Sequence, residues 1–228
     1  MMIDYELVQE YIKNLDSIKI NDLKKQELKS IIQKIKTSKS KNTKEQGDLL
    51  EILIEQILNS IEILDFKSNP RTSSNEIDFL VTLNQFGSYL KGQNRIPSWF
   101  PERLLIECKN YSKPVGITYV GKFKSLMDVT SIKFGLFIST KGITGASTKA
   151  WKDATGYIKK ISLIHPNEVE KQIILDININ MIENFLNNGY TFFEFLDKVR
   201  SEFLTDVHSD FNTAYFHELS EKLSTPST

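Results

Sequence analysis

The sequence predicts an α/β domain in three layers, a mixed central β-sheet flanked by helices, with further helices added at both ends. Three observations predict it. Strand-like segments recur at 75–83 (NEIDFLVTL), 103–111 (RLLIECKNY) and 134–140 (FGLFIST). Helical stretches at about 115–130 and 144–157 follow the second and third, the spacing of strand–helix–strand crossovers. The 134–140 run is apolar throughout, as expected of a strand covered on both faces.

Taken in order, Asp4 is placed to cap a helix running to Leu15, and Asn21 a second running to about Ile35. TSKSKNTKEQG (37–47) has the composition of an exposed linker. Residues 48–61 (DLLEILIEQILNSI) form a strongly apolar helix, interrupted by Glu51 and Glu55 on one stripe. The 75–83 and 103–111 strands are expected to pair antiparallel across a long connection containing Pro97, Trp99 and Pro101. KKISLIH (159–165) reads as a further short strand. ILDININM (174–181) alternates like a strand and equally suits the start of a helix. In TFFEFLDKVRSEFL (191–204), Thr191 and Glu194 have capping-box spacing at a helix start.

Composition narrows the function. Hydrophobic content of 40% and charged content of 25% match soluble globular chains, so a packed core is affordable. No apolar run is long enough to span a bilayer, and the first residues lack a signal segment. A soluble cytoplasmic protein without membrane attachment is expected. The single cysteine, Cys108, excludes an internal disulfide framework and a Cys-rich zinc site. His165, His208 and His217 lack metal-ligand spacing. Net charge is zero, but its distribution is uneven: +4 over residues 1–44, +3 over 45–164 and −7 over 165–228. The basic part permits nucleic-acid binding without requiring it.

Chemistry concentrates in two segments. Residues two apart in a strand share a face, so Glu107 and Lys109 lie together with Leu105, while Ile106 and Cys108 point the other way. A cross-strand salt bridge at a sheet end would account for that pair alone. Asp78 interrupts the apolar run Ile77, Phe79, Leu80 and Val81, where a carboxylate needs a reason. If the strands pair, Asp78 comes alongside Glu107, and a hard divalent cation would relieve the repulsion of the two carboxylates. Lys109 then stands where it orients or helps activate a metal-bound water, or stabilises phosphate charge. Glu51 sits on a helix apolar around most of its circumference and is expected to be half-buried; an exposed stripe shared with Glu55 is the plainer alternative.

The series GDLLE (47–51), NEIDFLV (75–81), LLIECKNY (104–111) and FGLFISTKGITGASTKA (134–150) resembles the PD-(D/E)xK restriction-endonuclease-like superfamily, and within it the Mrr-type catalytic domains of defence nucleases. The resemblance spans roughly residues 45–170. It implies an N-terminal helical extension at 1–44, a nuclease core at 45–170 and a mainly helical C-terminal extension at 171–228. It also implies a magnesium- or manganese-dependent DNA endonuclease acting in restriction or anti-phage defence. Asp78 and Glu107 match the acidic metal ligands, with the backbone carbonyl of Cys108 completing the site. Lys109 matches the catalytic lysine, and Glu51 the helical acid that joins the metal shell. Ile77 stands where the name-giving proline would be, and the 84–102 connection is long.

Two alternatives compete with that reading: a repair or recombination nuclease of the same fold, and an inactive module that binds nucleic acid or a partner protein. Intact acid, acid and lysine positions count against the second. DNA contacts are expected from Lys122 and Lys124, from Ser139, Thr140 and Lys141 at a strand end before a helix, and from Arg95 and Arg103 flanking Trp99 and Phe100. Each of these also has a structural reading, as solvated surface, helix cap or packed hairpin. The acidic, aromatic-rich C-terminal segment is a candidate interface for a homodimer or a partner defence protein, or it finishes the core.

Overall fold

The computed structural model describes residues 18–37, 43–70, 77–145, 153–164 and 171–205. The elements are helices α1 (Asp22–Thr37) and α2 (Thr43–Asn59), strands β1 (Leu64–Ser68) and β2 (Phe79–Leu83), helix α3 (Gln85–Gly92) and strand β3 (Arg103–Lys109). Helix α4 (Ile117–Val129), strand β4 (Phe134–Ser139), helix α5 (Asp153–Ile164), strand β5 (Ile173–Asn178) and helices α6 (Ile179–Asn188) and α7 (Phe192–Thr205) complete the chain.

The sheet runs in sequence order, β1-β2-β3-β4-β5. Its first two pairings are antiparallel and its last two parallel, so β3 is where the two modes meet. The period-2 pattern decides what each face buries. Leu104, Ile106 and Cys108 of β3, with Leu136 and Leu175, pack beneath α1, α2, α6 and α7. Leu105, Phe137 and Ile174 face the other way, against Val120, Phe123 and Met127 of α4 and Ile158 of α5. Strand β4 is buried along its whole length, as its unbroken apolar run predicts. At Gly135 an added Cβ would lie 2.6 Å from the Phe123 ring, so glycine lets α4 press onto the sheet.

Several expectations hold. Asn21 caps α1, its Oδ1 accepting from Lys24 N at 2.8 Å. Thr191 and Glu194 form the reciprocal capping box at α7, with Thr191 N donating to Glu194 at 2.7 Å and Glu194 N to the Thr191 hydroxyl at 3.2 Å. Others are corrected. KKISLIH lies largely inside α5, not in a strand: Ile158 and Ile161 face the core while Lys159 and Lys160 do not, a helical period masked by the β-branched isoleucines. ILDININM is both of its readings in succession, a strand to Asn178 and a helix from Ile179, with the Asn178 side chain accepting from Asn180 N and Met181 N. Helix α2 begins at Thr43, within the stretch read as linker. Strand β1 and helix α3 are additional to the elements expected from the sequence. The expected helix at Asp4–Leu15, the three histidines and the end of the aromatic-rich C-terminal segment, with its Phe211 and Phe216, lie outside the described residues. Strand β5 lies past residue 170 and pairs with β4 throughout.

Candidate active site

Antiparallel register builds the site. Phe79 faces Ile106, so Asp78, the residue before β2, falls opposite Glu107. The Asp78 backbone is anchored on the other side, its carbonyl accepting from Asn69 N at 2.8 Å. Its carboxylate reaches across to β3, where Oδ2 accepts from Cys108 N at 2.6 Å. The sequence expectation that Asp78 comes alongside Glu107 therefore describes the observed pairing.

Three acceptor oxygens surround the Lys109 ammonium. Its Nζ lies 2.5 Å from Glu107 Oε1, 3.1 Å from the Cys108 carbonyl oxygen and 3.9 Å from Asp78 Oδ2. The Asp78 and Glu107 side chains are each 14% exposed and that of Lys109 is 22% exposed, so the cluster is largely desolvated yet open on one side. Burial, then the Asp78 charge, pushes the Glu107 carboxyl up to about 7, against the opposing pull of Lys109. Burial pulls the Lys109 ammonium down, but Glu107 and Asp78 together outweigh it and the net shift is upward. An isolated ion pair would lower its acid and raise its base. Here both rise: burial first and Asp78 second disfavour the Glu107 charge, while Glu107 and Asp78 together favour the ammonium.

Glu51, half-buried on α2, belongs to the same electrostatic system. Burial and then Asp78 raise its pKa, and Lys109 opposes them. Cys108 is fully buried, and burial followed by the surrounding acids drives its thiol well above the ordinary range, so it is no nucleophile. Among the described residues no three His, Cys, Asp or Glu side chains gather to hold a metal by themselves. The donor set that does converge is two carboxylates and a backbone carbonyl. These hard oxygens, with one carboxyl forced toward its neutral form, fit a divalent cation that takes one or two carboxylates and completes its shell with water and phosphate.

The family model of restriction endonucleases of the Mrr catalytic type matches residues 43–173. The chain belongs to this family. No curated protein and no solved structure matches it. The match takes in Glu51, Asp78, Glu107 and Lys109 together with β1 to β4, and it does not extend over α1, α6 or α7.

The other expected residues are dispersed. Lys124 pairs with Asp128 at 2.6 Å, and Lys122 stands 5.7 Å above the Tyr119 ring. Ser139 is fully buried, and its hydroxyl has no partner among the described residues. The Thr140 hydroxyl hydrogen-bonds the Asn110 carboxamide, while Lys141 is exposed. Arg103 opens β3, at the opposite end of the strand from Lys109, and Arg95 is exposed in the connection before it. The aromatics of that connection are packed: Phe100 meets Phe193 edge-on at 4.9 Å, Trp99 Nε1 donates to Asp197 Oδ1 at 2.5 Å, and Arg200 lies 5.0 Å over the Trp99 ring. In the C-terminal segment, Phe192, Phe193 and Phe195 are buried in the core. No helix among the described residues is long and apolar enough to cross a membrane.

Sequence reasoning missed Asp176 on β5. Burial pushes its carboxyl up to about 6, opposed by the Ile143 N–H that Oδ2 accepts at 3.3 Å; Oδ1 has no partner among the described residues. Its signal was the one that exposed Asp78, an acid inside an alternating apolar strand. The carboxylate holds the turn after β4, where Gly142 adopts φ +74 and an added Cβ would lie 3.4 Å from Asp176 Oδ2.

Proposed function

We propose that the chain is a divalent-cation-dependent endonuclease that hydrolyses DNA phosphodiester bonds, with magnesium or manganese held by Asp78, Glu107 and the Cys108 carbonyl and with Glu51 close by. One observation supports it above the rest: both carboxylates and the carbonyl face a single cationic head, the Lys109 ammonium. A salt bridge serving stability alone would need one acid, and the second makes this one worse. A bound divalent cation supplies Lewis acidity toward phosphate and a water made acidic enough to attack. With Glu107 and Asp78 beside it in the metal-free protein, Lys109 favours its ammonium form, and it serves as a positive charge toward phosphate or as a donor that orients the attacking water. Asp78 is oriented for its role by the Cys108 N–H. Family membership favours a role in restriction or defence over the repair alternative, and the assembled acid, acid and lysine disfavour an inactive binding module.

The test is cleavage of supercoiled plasmid, with and without modified bases, in magnesium, manganese or EDTA. Nicking or linearisation that requires metal and disappears in Asp78→Ala and Lys109→Ala is the expected result. Cleavage that persists in Asp78→Ala, or in EDTA, would sink the assignment.

A further inference from the structure

Beside the acidic cluster lies a cleft of about 660 Å³ at the carboxyl ends of the parallel strands β3, β4 and β5. Its walls are residues 110–112 after β3, 140–141 after β4, 178–180 at the start of α6, and Ile35 and Lys36 at the end of α1. The first two stretches lie within the residues matched by the family, and the last two lie outside. The end of β5, the start of α6 and the end of α1 thus wall the cleft from outside the matched residues. The cleft is also continuous with the site: Thr140 N donates to the Lys109 carbonyl at 3.3 Å, and Asn110 follows Lys109 directly.

Its lining is the reverse of the neighbouring cluster. Among the described residues no carboxylate lines it, while Lys36 and Lys141 do, with asparagine amides and serine and threonine hydroxyls between them. Lys36 is held by Glu183 at 2.5 Å, which leaves the exposed Lys141 as the stronger attraction for an anion. Tyr111 adds an aromatic face. It is 40% exposed, two residues beyond Lys109, and fixed edge-on against Tyr119 at 5.4 Å. A cation for phosphate, amides for polar edges and an exposed ring for stacking together suit a nucleotide. The volume is that of a small-ligand site, too small to admit a duplex.

We propose that this cleft binds a nucleotide, with its phosphate toward Lys141 and its base against Tyr111. The inference rests on the nuclease reading, under which the occupant is a nucleotide of an unpaired strand next to the bond to be cut. A free nucleotide acting as an effector has the same chemistry, and the experiment separates the two sources.

Binding is read by fluorescence anisotropy of a short labelled oligothymidylate in EDTA, where no cleavage is needed, with thymidine monophosphate and ATP as competitors. Wild type is compared with Lys141→Glu and Tyr111→Ala, both surface changes, and thermal unfolding checks that each variant is folded. Each variant is expected to weaken oligonucleotide binding by about tenfold or more, the loss of one stacked base or one phosphate contact. Displacement by thymidine monophosphate or ATP at concentrations comparable with the oligonucleotide would assign the cleft to a free nucleotide; resistance to them assigns it to a strand. Unchanged affinity for both probes in two folded variants would overturn the proposal. That failure is separable from failure of the nuclease reading, which is decided by metal-dependent plasmid cleavage and its loss in Asp78→Ala.

Discussion

Replacing Glu107 by glutamine in metal-free protein separates a metal-binding acid from a structural salt bridge. The Glu107 carboxyl is raised from 4.5 to about 7 by burial and by Asp78. A raised carboxyl pKa means the folded state resists ionisation more than the unfolded chain does. Below about pH 4.5 both states are protonated and no cost arises. As pH climbs through the window the unfolded chain ionises first and stability falls, and above about pH 7 the cost is constant. The gap between 4.5 and about 7, at about 1.4 kcal/mol per pH unit, amounts to about 3 kcal/mol. Glu107→Gln keeps the shape and removes the charge, so in EDTA it should be more stable than wild type by about 3 kcal/mol near pH 8, and by little near pH 4.5. Urea denaturation at both pH values measures this. Magnesium should then stabilise wild type, by about 2.7 kcal/mol at a hundredfold excess over Kd, and fail to do so in the variant. A variant that is less stable than wild type at pH 8, and no worse at pH 4.5, would show that the Lys109 pair stabilises the fold in its own right. The metal-ligand role for Glu107 would then lose its physical basis.

Two further outcomes follow from packing and burial. Gly135→Ala drives a methyl against the Phe123 ring and the Met127 sulfur, at 2.6 and 2.8 Å, and should cost about 1–3 kcal/mol in urea denaturation; an unchanged midpoint would mean that α4 moves aside freely. Asp176, raised from 3.8 to about 6 by burial, lowers wild-type stability as pH rises through that window. Relative to Asp176→Asn, wild type should therefore lose about 3 kcal/mol between about pH 4 and pH 8, and a difference that stays flat would show that Asp176 is solvated.

The central strands and the pairing that sets the site were legible because their pattern is local. Apolar alternation marks which side of a strand is buried, and a charge inside it marks an exception. That sufficed for Asp78, Glu107 and Lys109, and for the helices whose caps stand in the sequence at Asn21 and Thr191. It failed where two periods fit the same residues. KKISLIH satisfies a short strand and a helix alike, and only docking of Ile158 and Ile161 beside Phe123 of α4 decides between them. LDFKS, the segment of β1, is too short and too polar to announce itself, being a sheet edge with three exposed residues of five. The packed state of Trp99 and Phe100 was undecidable from sequence, since their partners Phe193 and Asp197 lie almost a hundred residues away.

The position of the cluster has its own physical cause. Asp78 precedes an antiparallel strand and Lys109 ends its neighbour, so register brings a strand start beside a strand end. There the sheet meets solvent, and the three charged side chains keep 14–22% of their surface. Two register steps inward, on the same face, Leu80 faces Leu105, which is fully buried beneath α4. Two carboxylates at that depth would be desolvated beyond what one lysine can offset. At the sheet end they are buried enough to disfavour two negative charges and open enough for phosphate and water to enter. Moving the triad inward by two positions, to the next pair on its face, would give a neutral core, and moving it outward would give a solvated surface with ordinary pKa values. The chemistry proposed for this chain depends on the intermediate depth that the β2–β3 register sets.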